Sequence, residues 1–155
     1  MYLLNPGQRL DVGDRELLAL RPPIFDAPET TAFVDSKTRV LFSSDFLGAV
    51  LSEPAETAAD VPAADLRDGA VLWATIDAPW LRNVPEAVHD AKLAEIRALA
   101  PPAVLGSHLR PALGMIDVLL EHARAARTAA PFIGPDQRAL TATLASLAET
   151  EHALA

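Results

Sequence analysis

Cysteine is absent from this chain of 155 residues, which excludes disulfides, thiolate nucleophiles and cysteine-ligated zinc together. Any metal ion must be held by histidine, aspartate or glutamate, and only four histidines are present. Aromatic residues make up 5% of the sequence although half of it is hydrophobic. The expected core is therefore aliphatic, with helices that approach closely through small side chains. Positive charge is scarce: 13 Lys and Arg against 21 Asp and Glu leave a formal charge of −8. Non-specific binding to nucleic acid or to an anionic membrane needs a basic face, so no nucleic acid and no membrane are expected as partners. No apolar run approaches the roughly 20 residues that span a bilayer. The segment Met1-Tyr2-Leu3-Leu4-Asn5-Pro6-Gly7 has no basic region and only a very short apolar stretch, unlike a signal peptide. A cytoplasmic protein is the expectation, with one domain over residues 1–155 large enough to bury about two thirds of its surface.

Residues 1 to 20 read as a β-meander. Tyr2 to Leu4 meets the turn signal Asn5-Pro6-Gly7, Arg9 to Val12 runs into Gly13-Asp14-Arg15, and Glu16 to Leu20 returns. A strand at the very first residues resembles the middle of a sheet. Residues 21 to 30 form a proline-studded loop without helical or strand period, and Asp26 within it reads at face value as a turn former ahead of Pro28. Thr31 to Val34 and Arg39 to Ser43, joined by Asp35-Ser36-Lys37-Thr38, make a second hairpin. Residues 49 to 62 are loop-like and acidic, broken by Pro54 and Pro62.

The second half of the chain is helical with one strand. Ala70 to Ile76 could be a buried strand, but Leu66, Ala70, Trp73 and Asp77 recur at helical spacing, which favours a helix over 63–77. Trp80 in the following break reads as a packing residue, with a substrate wall as the alternative. Asn83 followed by Glu86, with Pro85 in the first turn, predicts a helix start, and Leu93, Ile96 and Leu99 share one side of a helix reaching about Ala100. Pro101-Pro102 ends it, and Ala103 to Gly106 is a short strand that delivers Ser107-His108. From Pro111 a helix is predicted to about Arg127, burying Leu113, Ile116, Leu119, Leu120 and Ala123. A last helix over 135–153 repeats Leu140, Leu144 and Leu147. His89 reads as a solvated or satisfied histidine, and His122 and His152 lie among polar residues late in helices.

The chemistry gathers around Val40-Leu41-Phe42-Ser43-Ser44-Asp45-Phe46-Leu47-Gly48. An apolar β-type run ends in two serines and an aspartate, at the place where loops collect side chains over a sheet edge. Asp45 there is either a turn or cap residue or a metal ligand.

Thr31-Ala32-Phe33-Val34-Asp35, the polar turn, this run and the later Gly106-Ser107-His108 together resemble the second half of the metallo-β-lactamase superfamily. The closest likeness is to its flavodiiron-type branch and related hydrolase-like proteins, over most of residues 8 to 115. The resemblance implies an α/β (α+β) fold, half of an αββα sandwich: an antiparallel-rich sheet over 1–48, helices and one strand over 63–128, and an extra helix. It implies Asp45 as the metal-bridging aspartate and His108 as the last histidine ligand. It also aligns Asp26, through Pro28-Glu29-Thr30, with a position where the family carries another histidine. The implied cofactor is a divalent metal, zinc or iron, that activates water for hydrolysis of a small-molecule substrate. The half that carries the family's HxHxDH or HxExDH motif has no counterpart here, and no flavin-binding motif is visible. The chain is thus expected to be the later part of such a protein, inactive alone. The alternatives are a degenerate half-domain that pairs with the missing half or with a second copy as an interaction module, and a plain α+β interaction domain in which Asp45 is a cap.

Overall fold

A computed structural model describes residues 3–154, with side chains through residue 147. Six strands form one sheet in sequence order: β1 (Arg9–Asp11), β2 (Glu16–Leu20), β3 (Ala32–Asp35), β4 (Leu41–Ser44), β5 (Ala103–Gly106) and β6 (Ala112–Leu113). The helices are α1 (Ala63–Asp77), α2 (Glu86–Ala98), α3 (Ile116–Ala126) and α4 (Gln137–Leu154). Every neighbouring pair of strands is antiparallel except β4 and β5, which run parallel. The architecture is the mixed α/β class expected from the sequence.

Strand alternation divides the sheet into two unlike faces. Val34, Leu41 and Val104 share one face through their register. They pack with Ala74 of α1, Leu93 and Ile96 of α2, and Leu119, Leu120 and Ala123 of α3 in a single core. Each fully buried leucine there contributes about 1.5–3 kcal/mol of transfer free energy. The sparse aromatic content shows in that core, where Phe46 is the one fully buried aromatic ring among the described residues. The other face carries the register-paired Phe33, Phe42 and Leu105; Phe42 is 42% exposed, and Leu113 on the same face is 64% exposed.

Several boundaries differ from the sequence reading. Tyr2 lies outside the described residues, and Leu3 and Leu4 are not in a strand, so the meander starts at β1. Asn83 is not a helix cap: it closes a 3-10 turn over Leu81–Asn83, and α2 starts after Pro85. The cause is Pro85 itself, which disfavours helical backbone at Val84 and leaves it extended (ψ 130°). The helix predicted from Pro111 begins only at Ile116, because residues 112–113 are drawn into the sheet as an unforeseen second strand in the 63–128 region. Gly114 makes this possible with φ 65°, and its N–H donates to the Pro102 carbonyl at 2.9 Å. Leu113 is therefore exposed on β6 rather than buried on a helix. In α4, Leu140, Leu144 and Leu147 do keep helical spacing, yet each is exposed. Among the described residues, no helix is long and apolar enough to cross a membrane.

Candidate metal centre

The parallel pairing of β4 and β5 creates the site. Leu41 pairs with Val104 and Ser44 with Gly106, so both strands end at the same edge of the sheet. Parallel strands place the loops leaving their carboxyl ends side by side, where α/β folds collect ligands. The Ser107 N–H donates to the Ser44 carbonyl at 2.9 Å, and the Ala49 N–H donates to the His108 carbonyl at 3.0 Å. His108 Nε2 consequently lies 3.0 Å from Asp45 Oδ1, although more than 60 residues separate them in sequence. The turn out of β4 is tight: Ser44 (φ 57°) and Leu47 (φ 67°) are both non-glycine residues in the left-handed region. Each such residue costs on the order of 1–3 kcal/mol and persists only where surrounding structure enforces it. Phe46, buried between them, is the anchor.

Trp73 of α1 braces the pair from the core side. Its indole lies against the His108 imidazole, with centroids 4.1 Å apart and planes tilted by 32°. Its Nε1–H donates to the Asp45 carbonyl at 2.9 Å. Gly48 permits this approach, since a Cβ there would stand 2.6 Å from Trp73 Nε1 and 2.8 Å from the His108 Cβ.

Asp26 reaches the same place from the proline loop, its Oδ1 accepting from the Thr30 hydroxyl at 2.9 Å. Asp26, Asp45 and Asp77 each offer a carboxylate oxygen, and these atoms lie within 4.8 Å of one another. Among the described residues this is the only such group of three or more acidic, histidine or cysteine side chains. His108 joins at its edge, through Asp45. The structure thus brings together all three residues singled out from sequence (Asp26, Asp45 and His108) and adds Asp77, which the sequence reading placed on a helix and left without a role. One signal for Asp77 was available: it is the last residue of α1, where a carboxylate opposes the helix dipole.

The electrostatics suit a cation. Burial first, and then the neighbouring Asp26 and Asp45 charges, push the Asp77 carboxyl up to about 6, with His108 working against the rise. Asp77 Oδ2 is buried without a hydrogen-bond partner, an arrangement that native proteins rarely leave uncompensated. Three carboxylates with an imidazole beside them form a donor set for a hard or borderline divalent ion, so the residues present fit the divalent metal that the sequence resemblance implies.

The other histidines lie elsewhere. His89 is buried, and its Nε2 bonds the Ala123 carbonyl at 3.2 Å; burial lowers its pKa. It is the satisfied histidine expected from sequence. His122 has a buried Nδ1 without a partner, and the side chain of His152 lies outside the described residues. An open cleft of about 650 Å³ starts at His108 and runs between residues 49–55 and 106–111. A separate cavity of about 580 Å³, walled by Phe25, Trp80, Val88, Ile96 and Leu99, touches none of the four site residues. Trp80 packs there on Phe25, with ring centroids 5.1 Å apart, and its Nε1–H donates to the Phe25 carbonyl.

No protein-family model matches this chain, and no curated protein sequence does. Solved structures do. The rubredoxin oxygen:oxidoreductase of the anaerobe Desulfovibrio gigas superposes with a TM-score of 0.63 at 14% identity, over 81% of this chain and 31% of that one. The flavodiiron protein of Giardia intestinalis gives 0.60 at 15% identity, over 81% and 30%. The H90D flavo di-iron protein of Thermotoga maritima gives 0.64 at 16% identity, over 80% and 30%. This chain shares their fold. At such identities the likeness is one of fold, metallo-β-lactamase-like, and the chain spans about a third of the length of each.

Proposed function

We propose that this chain binds a divalent metal ion, zinc or iron, through Asp45, His108 and Asp26, as a metallo-β-lactamase-fold, hydrolase-like protein. The observation that carries the reading is the contact between His108 Nε2 and Asp45 Oδ1 at the shared end of β4 and β5, with the Asp26 carboxylate beside it. A divalent ion there would supply a water acidic enough to act as a nucleophile near neutral pH. The chain's own residues set the geometry. Asp45 is held through its carbonyl by Trp73, and its carboxylate lies against the His108 imidazole. Asp26 is oriented by the Thr30 hydroxyl. The cleft that begins at His108 offers Ser107 and Arg110 as polar walls for a small-molecule substrate.

The test is metal stoichiometry on the purified chain, stripped with chelator and reloaded with zinc or ferrous ion. One ion per chain is expected, lost in Asp45→Ala and His108→Ala. Equal binding by wild type and both variants, or no binding by the wild type, would sink the reading.

A second reading, an interaction module, is favoured by Phe42 and Leu113, two exposed apolar side chains on the sheet face that also carries Phe33 and Leu105. Such a patch marks an association surface. Here it would take a second copy of this chain. Sedimentation of wild type and Phe42→Lys checks the second copy: a dimer that dissociates in the variant supports it, and a wild-type monomer at all concentrations removes it.

A further inference from the structure

The three residues singled out from sequence leave one carboxylate in the site, with a buried and unpaired oxygen, unexplained. We propose that Asp77, the last residue of α1, is a further ligand of the ion, making a three-carboxylate site with His108 at its edge that takes a hard divalent cation of the manganese kind. The inference rests on the metal-site reading above and adds a residue and an ion class to it.

Asp77 is placed where a carboxylate is unwelcome without a cation. It sits at the carboxyl end of a helix, where the dipole repels negative charge. Its carboxylate lies within 4.8 Å of two others, and its Oδ2 is buried with no hydrogen-bond donor. Among the described residues no lysine or arginine forms an ion pair with Asp26, Asp45 or Asp77; the one cation-capable group in contact is His108, on Asp45. Asp77 is half-buried, with one carboxylate oxygen withdrawn from water and the group beside the other two acids. An ion centred among the three would satisfy Oδ2 and offset the mutual repulsion in one step.

The donor chemistry then selects the ion. Imidazole and thiolate suit zinc, whereas carboxylates suit manganese and magnesium. A third carboxylate therefore strengthens binding of manganese more than it strengthens binding of zinc.

The experiment is a titration of the metal-stripped chain with Mn²⁺, read by electron paramagnetic resonance of the free ion, and with Zn²⁺ by competition against a chromophoric chelator. Wild type and Asp77→Asn are compared. The expected result is one Mn²⁺ per wild-type chain, at least tenfold weaker Mn²⁺ binding in Asp77→Asn, and a smaller loss for Zn²⁺. Wild-type binding that Asp77→Asn leaves unchanged overturns the role of Asp77 and spares the metal site. Failure of the wild type to take either ion overturns both. Thermal melts supply a readout independent of affinity. Metal-free Asp77→Asn is expected to melt above metal-free wild type, because one of three repelling charges is gone. A lower melting temperature would make Asp77 a structural residue and overturn the proposal.

Discussion

Trp73 and His108 lie ring against ring, 4.1 Å between centroids, while the same indole donates its Nε1–H to the Asp45 carbonyl. One side chain of α1 thereby holds the two segments that leave β4 and β5. Trp73→Phe keeps an aromatic face for His108 and removes the hydrogen bond. The expected cost is about 1 kcal/mol of stability, with weaker metal binding than wild type. Trp73→Ala removes the brace altogether, and about 3 kcal/mol is expected. Urea unfolding beside a Mn²⁺ titration measures both. Unchanged metal affinity in both variants would show that Trp73 serves only packing.

Gly48 is the steric counterpart of that brace. In Gly48→Ala the new Cβ meets Trp73 Nε1 at 2.6 Å and the His108 Cβ at 2.8 Å, distances that force movement. A loss of about 1–3 kcal/mol is expected, the usual range for overpacking, together with a change in Trp73 fluorescence. A variant as stable as wild type with an unaltered spectrum would contradict this geometry.

Asp77 gives the metal-free protein a distinctive pH dependence. Its folded pKa, about 6, is raised above the ordinary 3.8, so the folded state binds the proton more tightly than the unfolded chain. Its contribution to stability is full below about 4 and is lost as pH rises through about 6. The stability advantage of Asp77→Asn over wild type is thus expected to grow between pH 4 and 6 and to level off above. Denaturant midpoints of the two proteins across that range check it, and a constant difference would refute it.

Asp35 acts in the opposite sense. The Thr38 hydroxyl, the Lys37 N–H and the Arg15 guanidinium, in that order, hold its carboxyl at about 2, below the ordinary 3.8. The unfolded chain therefore takes up the proton first. Stability from Asp35 is present above pH 4 and is lost as pH falls through about 2. Acid unfolding of Asp35→Asn should lack this limb and start from a less stable protein at pH 7. Superimposable acid titrations would remove Asp35 from the account.

Local chemistry made much of the fold legible. Turn residues at Asn5-Pro6-Gly7 and Gly13-Asp14-Arg15, and the alternation around Phe33 and Phe42, mark strands because strand and turn preferences act over a few residues. Leu66, Ala70 and Trp73 mark α1 by spacing alone. The start of α3 was not legible: Pro111 is a good first-turn residue, yet edge pairing with β5 and the φ of Gly114 claim residues 112–113 for the sheet. The α4 stripe was legible as a helix but not as an exposed one, since spacing reports a face and not what covers it.

By itself the sequence determined which atoms could hold a metal. With no cysteine and four histidines, the donors had to be carboxylates and imidazoles, and the strand exits at Asp45 and His108 pointed to two of them. Only the tertiary structure decided that they meet. The parallel register of β4 and β5 brings Asp45 to His108, and the packing of α1 against α3 accompanies the delivery of Asp77 to Asp26 and Asp45. Spacing along a chain fixes the direction of a side chain on its own element. Convergence depends on how elements separated by tens of residues are paired, and that pairing is set by the core they bury together.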